Sequence, residues 1–499
     1  MENNEQTWEF PSTPQKPFIP AKGREMLFAL VTFVIACLLC NSMLYAGLHF
    51  GFALFSGFAL ISSVVYLLLR GCRLNGYTGL LLGLSLVICG SFARSDDGFV
   101  KFIMVCFLLV SSNLGLCLMA GQNRRSPNGV TSLLDAPRTV FMLGLGKLPE
   151  SFRGLRDGIK NSGAVGKKGL AVLVGLALAV PLLAIVIPLL ISADAAFDAL
   201  LQKLPDWELS ELVISLIFGF GFAAFCYSRA AALGHAPKAV PVQPKGKGIH
   251  PLTVNTVLIA VALVYGVYLV SQLAYFFGGF MGILPEGYTA AEYARRGFFE
   301  MAWLCAINLG IMALSIGLVA KQSKAPLLTR LVCLFIGVVT LFLVVSASAK
   351  MFLYIDGFGL TRLRVLTQVI IFFLGLCTVF LSVWLFAPKL PYMKVILLTG
   401  LLMGALVAWA DVETVVAAYN VNAYQTGKLQ TIDVDYLDSL GKGAIPHIAK
   451  LTGDADPAIA TAAANALEYG FYDLIDDFRE WNYSAFAAEG YIREPDSKK

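Results

Sequence analysis

Runs of about twenty apolar residues recur along this chain, and no other feature limits its fold so strongly. A hydrocarbon layer of about 30 Å is crossed by about 20 helical residues at 1.5 Å each. Inside that layer only helices and closed barrels can satisfy their own backbone groups. The runs here are continuous rather than alternating, which selects helices. They fall at about 27–46, 50–69, 76–92, 99–120, 169–192, 210–233, 252–277, 298–320, 327–349, 365–387 and 394–410. Only 14% of the 499 residues are charged and 57% are hydrophobic, whereas a soluble domain carries about 25% charged residues. The expected fold class is all-α: a polytopic α-helical membrane protein with about eleven transmembrane helices and a small C-terminal helical domain outside the cytoplasm.

Lysine and arginine set the orientation of such a chain. With a cytoplasmic N-terminus, the inner segments hold 23 of them and the outer loops 8. An odd number of spans then carries the C-terminus to the outer face of a cell membrane. The expected domains are a disordered cytoplasmic tail over 1–25, a membrane domain over 26–410 with a basic inner loop at 121–168, and a soluble helical domain over 411–499. The proline-rich, polar tail does not read as a cleavable signal peptide. The net charge of +5 is spread over many loops, so no nucleic-acid partner is expected.

The ten cysteines lie almost entirely within apolar runs, and the four histidines are scattered. Neither a disulfide framework nor a metal or cofactor site is expected. The stretch NSGAVGKKG in the inner loop lacks the serine or threonine of a phosphate-binding loop and follows no strand. Basic and bulky apolar residues mix in that loop, which suggests helices resting on lipid headgroups. Membrane lipids are thus one expected partner.

After residue 410 the character changes. Leu437, Leu440, Ile445, Ile448 and Leu451 recur at near-helical spacing, and Asp456 before Pro457 forms an N-cap signal. Four or five short helices are expected. The aromatics from Tyr469 to Tyr491 could close a small core or rest on the outer membrane interface. This domain could also meet a protein partner of the cell envelope.

The stretch MFLYIDGFGLTRLRVLTQ, residues 351–368, separates two apolar runs and is too richly charged for a simple turn. With Lys350 it gathers Asp356, Arg362 and Arg364 at the outer face. On the same face lie Asp194 and Asp198, four residues apart and so on one helical side. Arg295, Arg296 and Glu300 precede another span there. Charges at a membrane edge are costly unless paired, and arginine forks fit carboxylates. Two readings stay open: an ion-paired lock of helix ends, or a site for an anionic or zwitterionic substrate. Asn308 lies deeper in the bilayer. Pro181 and Pro188, and Gly219 and Gly221, interrupt two spans, as in helices that line transport sites.

ADAAFDALL at 193–201, YARRGFFEMAWLCAINLG at 293–310 and YIDGFGLTRLRV at 354–365 together resemble a family of bacterial polytopic membrane proteins. It is defined as a domain of unknown function, numbered 4173 and related to 4153. The resemblance covers roughly 25–440. Phe358 replaces the tyrosine of the usual YGLT spelling, keeping the ring and losing the hydroxyl. The family implies the membrane fold and no activity. The leading functional expectation is a non-enzymatic envelope scaffold or signalling partner in the bacterial cytoplasmic membrane. The alternatives are a transporter or lipid-linked substrate carrier with a polar site at the outer face, and a membrane enzyme acting on a lipid-linked substrate with Glu300 as acid.

Overall fold

A computed structural model describes residues 23–126, 133–149, 209–235, 248–280, 298–319, 326–469 and 477–491, with a few isolated positions besides. The described residues form helices and turns and contain no strand. The apolar runs become α1 (Gly23–Asn41), α2 (Phe50–Leu69), α3 (Gly76–Ser91), α4 (Gly98–Met119), α5 (Leu209–His235), α6 (Pro251–Phe280), α7 (Phe298–Val319), α8 (Leu327–Phe358), α9 (Arg362–Phe386) and α10 (Tyr392–Ala410). Among the described residues nine of these are long and apolar enough to cross a membrane. α3 is apolar but has 16 residues, about 24 Å of helix. The expected span at 169–192, with Pro181 and Pro188, lies outside the described residues. The protein is an all-α, multi-pass membrane protein.

Side-chain contacts sort the helix ends into two faces. Glu25 at the start of α1 takes the Tyr66 hydroxyl at 2.9 Å and pairs with Arg70 after α2. His235, closing α5, lies 3.9 Å from the same carboxylate. At the opposite face Asn41, ending α1, donates to Ser215 near the start of α5 at 3.0 Å. Helices α2, α3, α4 and α10 share one core around Leu81, Ile88, Met104, Leu401 and Ala405. Helices α6 to α9 enclose two others, around Met312 and Ile336 and around Leu343 and Ile371.

α5 is continuous through both of its glycines, contrary to the expected interruption. A Cβ on Gly219 would lie 2.7 Å from the Cα of Cys37. This glycine therefore lets α1 and α5 approach closely, as small residues do at membrane helix interfaces.

The charged stretch also differs from expectation. α8 runs to Phe358, nine residues past the expected end at 349, so Lys350 and Asp356 are helical and the turn is only Gly359–Thr361. At 32 residues the helix is about 48 Å long, more than the hydrocarbon layer needs. Its last turns stay packed, with Met351 and Ile355 buried in the core around Leu343 and Ile371.

Only Asp411 separates α10 from α11 (Val412–Gln425), and its φ of 53° lies in the left-handed region. α12 (Val434–Asp438), α13 (Ile445–Ile448), α14 (Pro457–Tyr469) and α15 (Tyr483–Glu489) follow. Val416, Ala417, Leu437, Leu440, Ile448, Leu451 and Ala463 build the core of this unit. The Asp456 side chain accepts from the Ala458 N–H at 2.9 Å, at the start of α14.

Candidate functional site

The candidate site is the joint between the membrane helices and the C-terminal unit. The turn before α2, the α3–α4 connection, the α8–α9 turn and α11 build it, with Tyr436 of α12 and Ser484 of α15 joining from the C-terminal unit.

Asp97 is the N-cap of α4; its Oδ1 accepts the Phe99 and Val100 N–H groups at 2.9 and 3.1 Å. A carboxylate suits that position, where free N–H groups and the helix dipole both favour negative charge. Arg362 opens α9 and brings Nη1 to 3.5 Å from Asp97 Oδ1 and 3.5 Å from Glu413 Oε1. The two carboxylates are almost fully covered, at 2% and 5% exposure, while the arginine is 42% exposed. Arg362 also donates its backbone N–H to the Tyr436 hydroxyl at 3.0 Å.

Asp411, buried at the joint, takes the Thr414 and Ser484 hydroxyls on Oδ2 at 2.7 and 2.5 Å. Those bonds hold a residue whose backbone is in a region that L side chains seldom adopt. Ser484 is shared: its backbone N–H also meets the Arg94 carbonyl, at 3.3 Å. On the other side Lys101 Nζ lies 2.9 Å from His49 Nδ1 and 3.4 Å from Asp96 Oδ1.

Burial, the Lys101 cation and Lys442 push the His49 imidazole down to about 4, against the opposing pull of Asp96. It is therefore neutral at pH 7 and accepts from lysine. Burial, then the neighbouring carboxylates Asp97 and Asp411, push Glu413 up to about 8, with Arg362 opposing and Asp96 reinforcing. Its carboxyl group is therefore largely protonated at pH 7. The cluster holds carboxylates at close quarters around one arginine, and a proton on Glu413 relieves their repulsion.

The charge and shape of residues 351–368 now have a cause. The Asn420 side chain reads the turn in both directions, accepting from Leu360 N–H at 2.7 Å and donating to the Leu360 carbonyl at 2.8 Å. Arg364 donates to the Phe358 carbonyl at 3.1 Å and to that of Gly359, with its guanidinium 4.1 Å from the Tyr354 ring centre. It closes the C-terminus of α8, where cations and donors are favoured. Asp356 pairs with Lys428 of the C-terminal unit at 2.6 Å.

The partners differ from those the sequence suggested. Arg362 meets Asp97 and Glu413 rather than Glu300 or Asp356, because the start of α9 faces α4 and α11. Lys350 and Glu300 lie close enough for their charges to interact, on the neighbouring helices α8 and α7. Asp194, Asp198, Arg295 and Arg296 lie outside the described residues. Asn308 is fully buried and spends its polar atoms on helix packing, accepting from Tyr265 at 2.6 Å and donating to Thr340 at 3.0 Å. Sequence reasoning missed Asp97, Lys101, His49, Asp411 and Glu413. An aspartate just before an apolar run is a helix-cap signal that was not used for Asp97; nothing local points to it as a partner of residue 362.

Gly359 tests the joint. Its φ is +75° and an added Cβ would lie 2.7 Å from the Asn420 Oδ1. Gly359→Ala is expected to cost about 3 kcal/mol, from backbone strain and loss of the asparagine clamp. A lower melting temperature in detergent and faster proteolysis between 412 and 491 would report it.

Among the described residues no group of three or more His, Cys, Asp or Glu side chains is placed to hold a metal ion. Neither the curated proteins nor the solved structures include a match to the chain. A family model does match it, over residues 33–451, which takes in the second half of α1, all of α2 to α10, and the C-terminal unit as far as Leu451. The chain belongs to the family described as Domain of unknown function (DUF4153).

Proposed function

We propose that this protein is a non-catalytic scaffold of the bacterial cytoplasmic membrane that holds its C-terminal helical unit outside, as a fixed platform for an envelope partner. One observation carries the reading: the platform is fastened to helix ends drawn from the whole length of the membrane domain. The links run through Asn41, Phe50, Arg94, Leu360 and Arg362. A tether needs only the peptide bond at 411. So many costly buried polar links favour a unit whose orientation matters. The use of Asn308 in helix packing also favours a scaffold over a carrier. The lysine and arginine bias, 23 against 8, supports the outward orientation.

Photo-crosslinking in intact cells tests it. Probes replacing the exposed residues Asp435 and Asp456 are expected to give a discrete crosslinked product, lost when Gly359→Ala loosens the platform. No product from either position, together with solute movement by the purified protein in vesicles, would overturn the scaffold reading in favour of a carrier.

A further inference from the structure

Residues 479–484 cross the ends of three membrane helices. Arg479 donates to the side chain of Asn41, the last residue of α1. The Trp481 carbonyl accepts the N–H of Phe50, the first residue of α2, at 3.1 Å, and the two rings meet edge-on at 5.8 Å. The Tyr483 and Ser484 N–H groups donate to the Ala93 and Arg94 carbonyls, just past α3. The segment's height is thus fixed at the helix ends. The polar layer of a bilayer extends only about 5–7 Å beyond the hydrocarbon on each side, so the segment occupies that layer.

A membrane tryptophan marks the same level. Trp409, one residue before the end of α10, donates its indole N–H to the Val87 carbonyl at 3.0 Å. Arg94 donates to the Trp409 carbonyl at 3.2 Å, and its guanidinium lies 4.1 Å from the Tyr483 ring centre. Along the segment Phe478, Tyr483, Phe486 and Tyr491 are 63%, 49%, 55% and 48% exposed. They do not close the C-terminal core.

We infer that residues 478–491 form an interfacial anchor, laying Phe478, Phe486 and Tyr491 into the phospholipid headgroup layer beside α1–α3. The partner is a lipid surface. Aromatic rings are enriched at this depth because it accepts both their apolar bodies and their polar edges. Continuity with the ends of the membrane helices distinguishes this patch from one awaiting a soluble protein.

Phe486→Trp and, separately, Phe478→Trp test the inference in the full chain, reconstituted in phosphatidylcholine nanodiscs. The unsubstituted protein supplies the background of the native tryptophans. The added emission is expected to be quenched severalfold more by phosphatidylcholine brominated near the headgroup than by aqueous iodide. Quenching by iodide with no response to brominated lipid would place the rings in water and overturn the inference. Insensitivity to both quenchers would mean that protein covers them, and would overturn it equally. Both positions are exposed, so if one variant fails to fold the other gives the same readout.

Discussion

Glu413→Gln is expected to remove a loss of thermal stability that the parent protein suffers between about pH 6.5 and 8. The sign follows from which state binds protons more tightly. Glu413 is raised from 4.5 to about 8 in the folded protein. Its contribution is fully present below 4.5 and is lost as pH rises through 8. His49 is lowered from 6.5 to about 4. Its contribution is present above 6.5 and is lost as pH falls through 4. Between 4.5 and 6.5 the two slopes oppose each other, leaving a plateau. From 6.5 to 8 only the Glu413 slope remains, and stability declines. Each pH unit of that decline corresponds to about 1.4 kcal/mol. Glutamine mimics the protonated acid, so the variant should match the parent only below about pH 4.5, exceed it by about 1.4 kcal/mol near pH 5.5 and by a few kcal/mol at pH 8.5. Melting curves in detergent across this range measure it. A parent curve that is flat from 6.5 to 8.5 would contradict the crowding of Glu413 by Asp97 and Asp411.

Arg362→Ala should destabilise the joint through its charges rather than its backbone. It leaves Asp97 and Glu413 buried without their shared cation. Removing one partner of a buried pair costs about 3 to 5 kcal/mol. Arg362 is 42% exposed, so water screens part of the interaction and about 2 kcal/mol is expected. Adding Glu413→Gln should recover little near pH 7, where the acid is already protonated, and part of the loss above about pH 9, where Glu413 ionises and becomes a stranded charge. Double-mutant cycles on melting temperature at about pH 7 and pH 9 isolate the coupling. Additive effects would show that Arg362 and Glu413 act independently, which their separation of 3.5 Å does not allow. Arg362→Lys should keep part of the interaction, because a single nitrogen, Nη1, meets both carboxylates.

The spans were legible because the bilayer imposes a length and a composition on each of them separately. Ten apolar runs became helices within a few residues of the expected ends, apart from α8 and the first turn of α9. α8 was misjudged because Lys350 and Asp356 read as the end of a membrane segment. They mark only the end of the apolar part, and the helix continues to a turn that Arg364 caps and Asn420 grips. The core of the C-terminal unit was legible for the same local reason: Leu437, Leu440, Ile445, Ile448 and Leu451 are all buried.

By itself the sequence determined that this is an all-helical membrane protein, and that Arg362 must find an anion. Each of these rests on a cost paid within about one helix: unpaired backbone in hydrocarbon, or an unpaired charge at its edge. Only the tertiary structure decided which anions answer the arginine. Asp97 precedes it by hundreds of positions and Glu413 belongs to the next unit, and no periodicity links them. Their pairing depends on how α4, α9 and α11 pack. The same packing crowds Glu413 against Asp97 and Asp411, giving an ordinary surface-type residue its raised proton affinity.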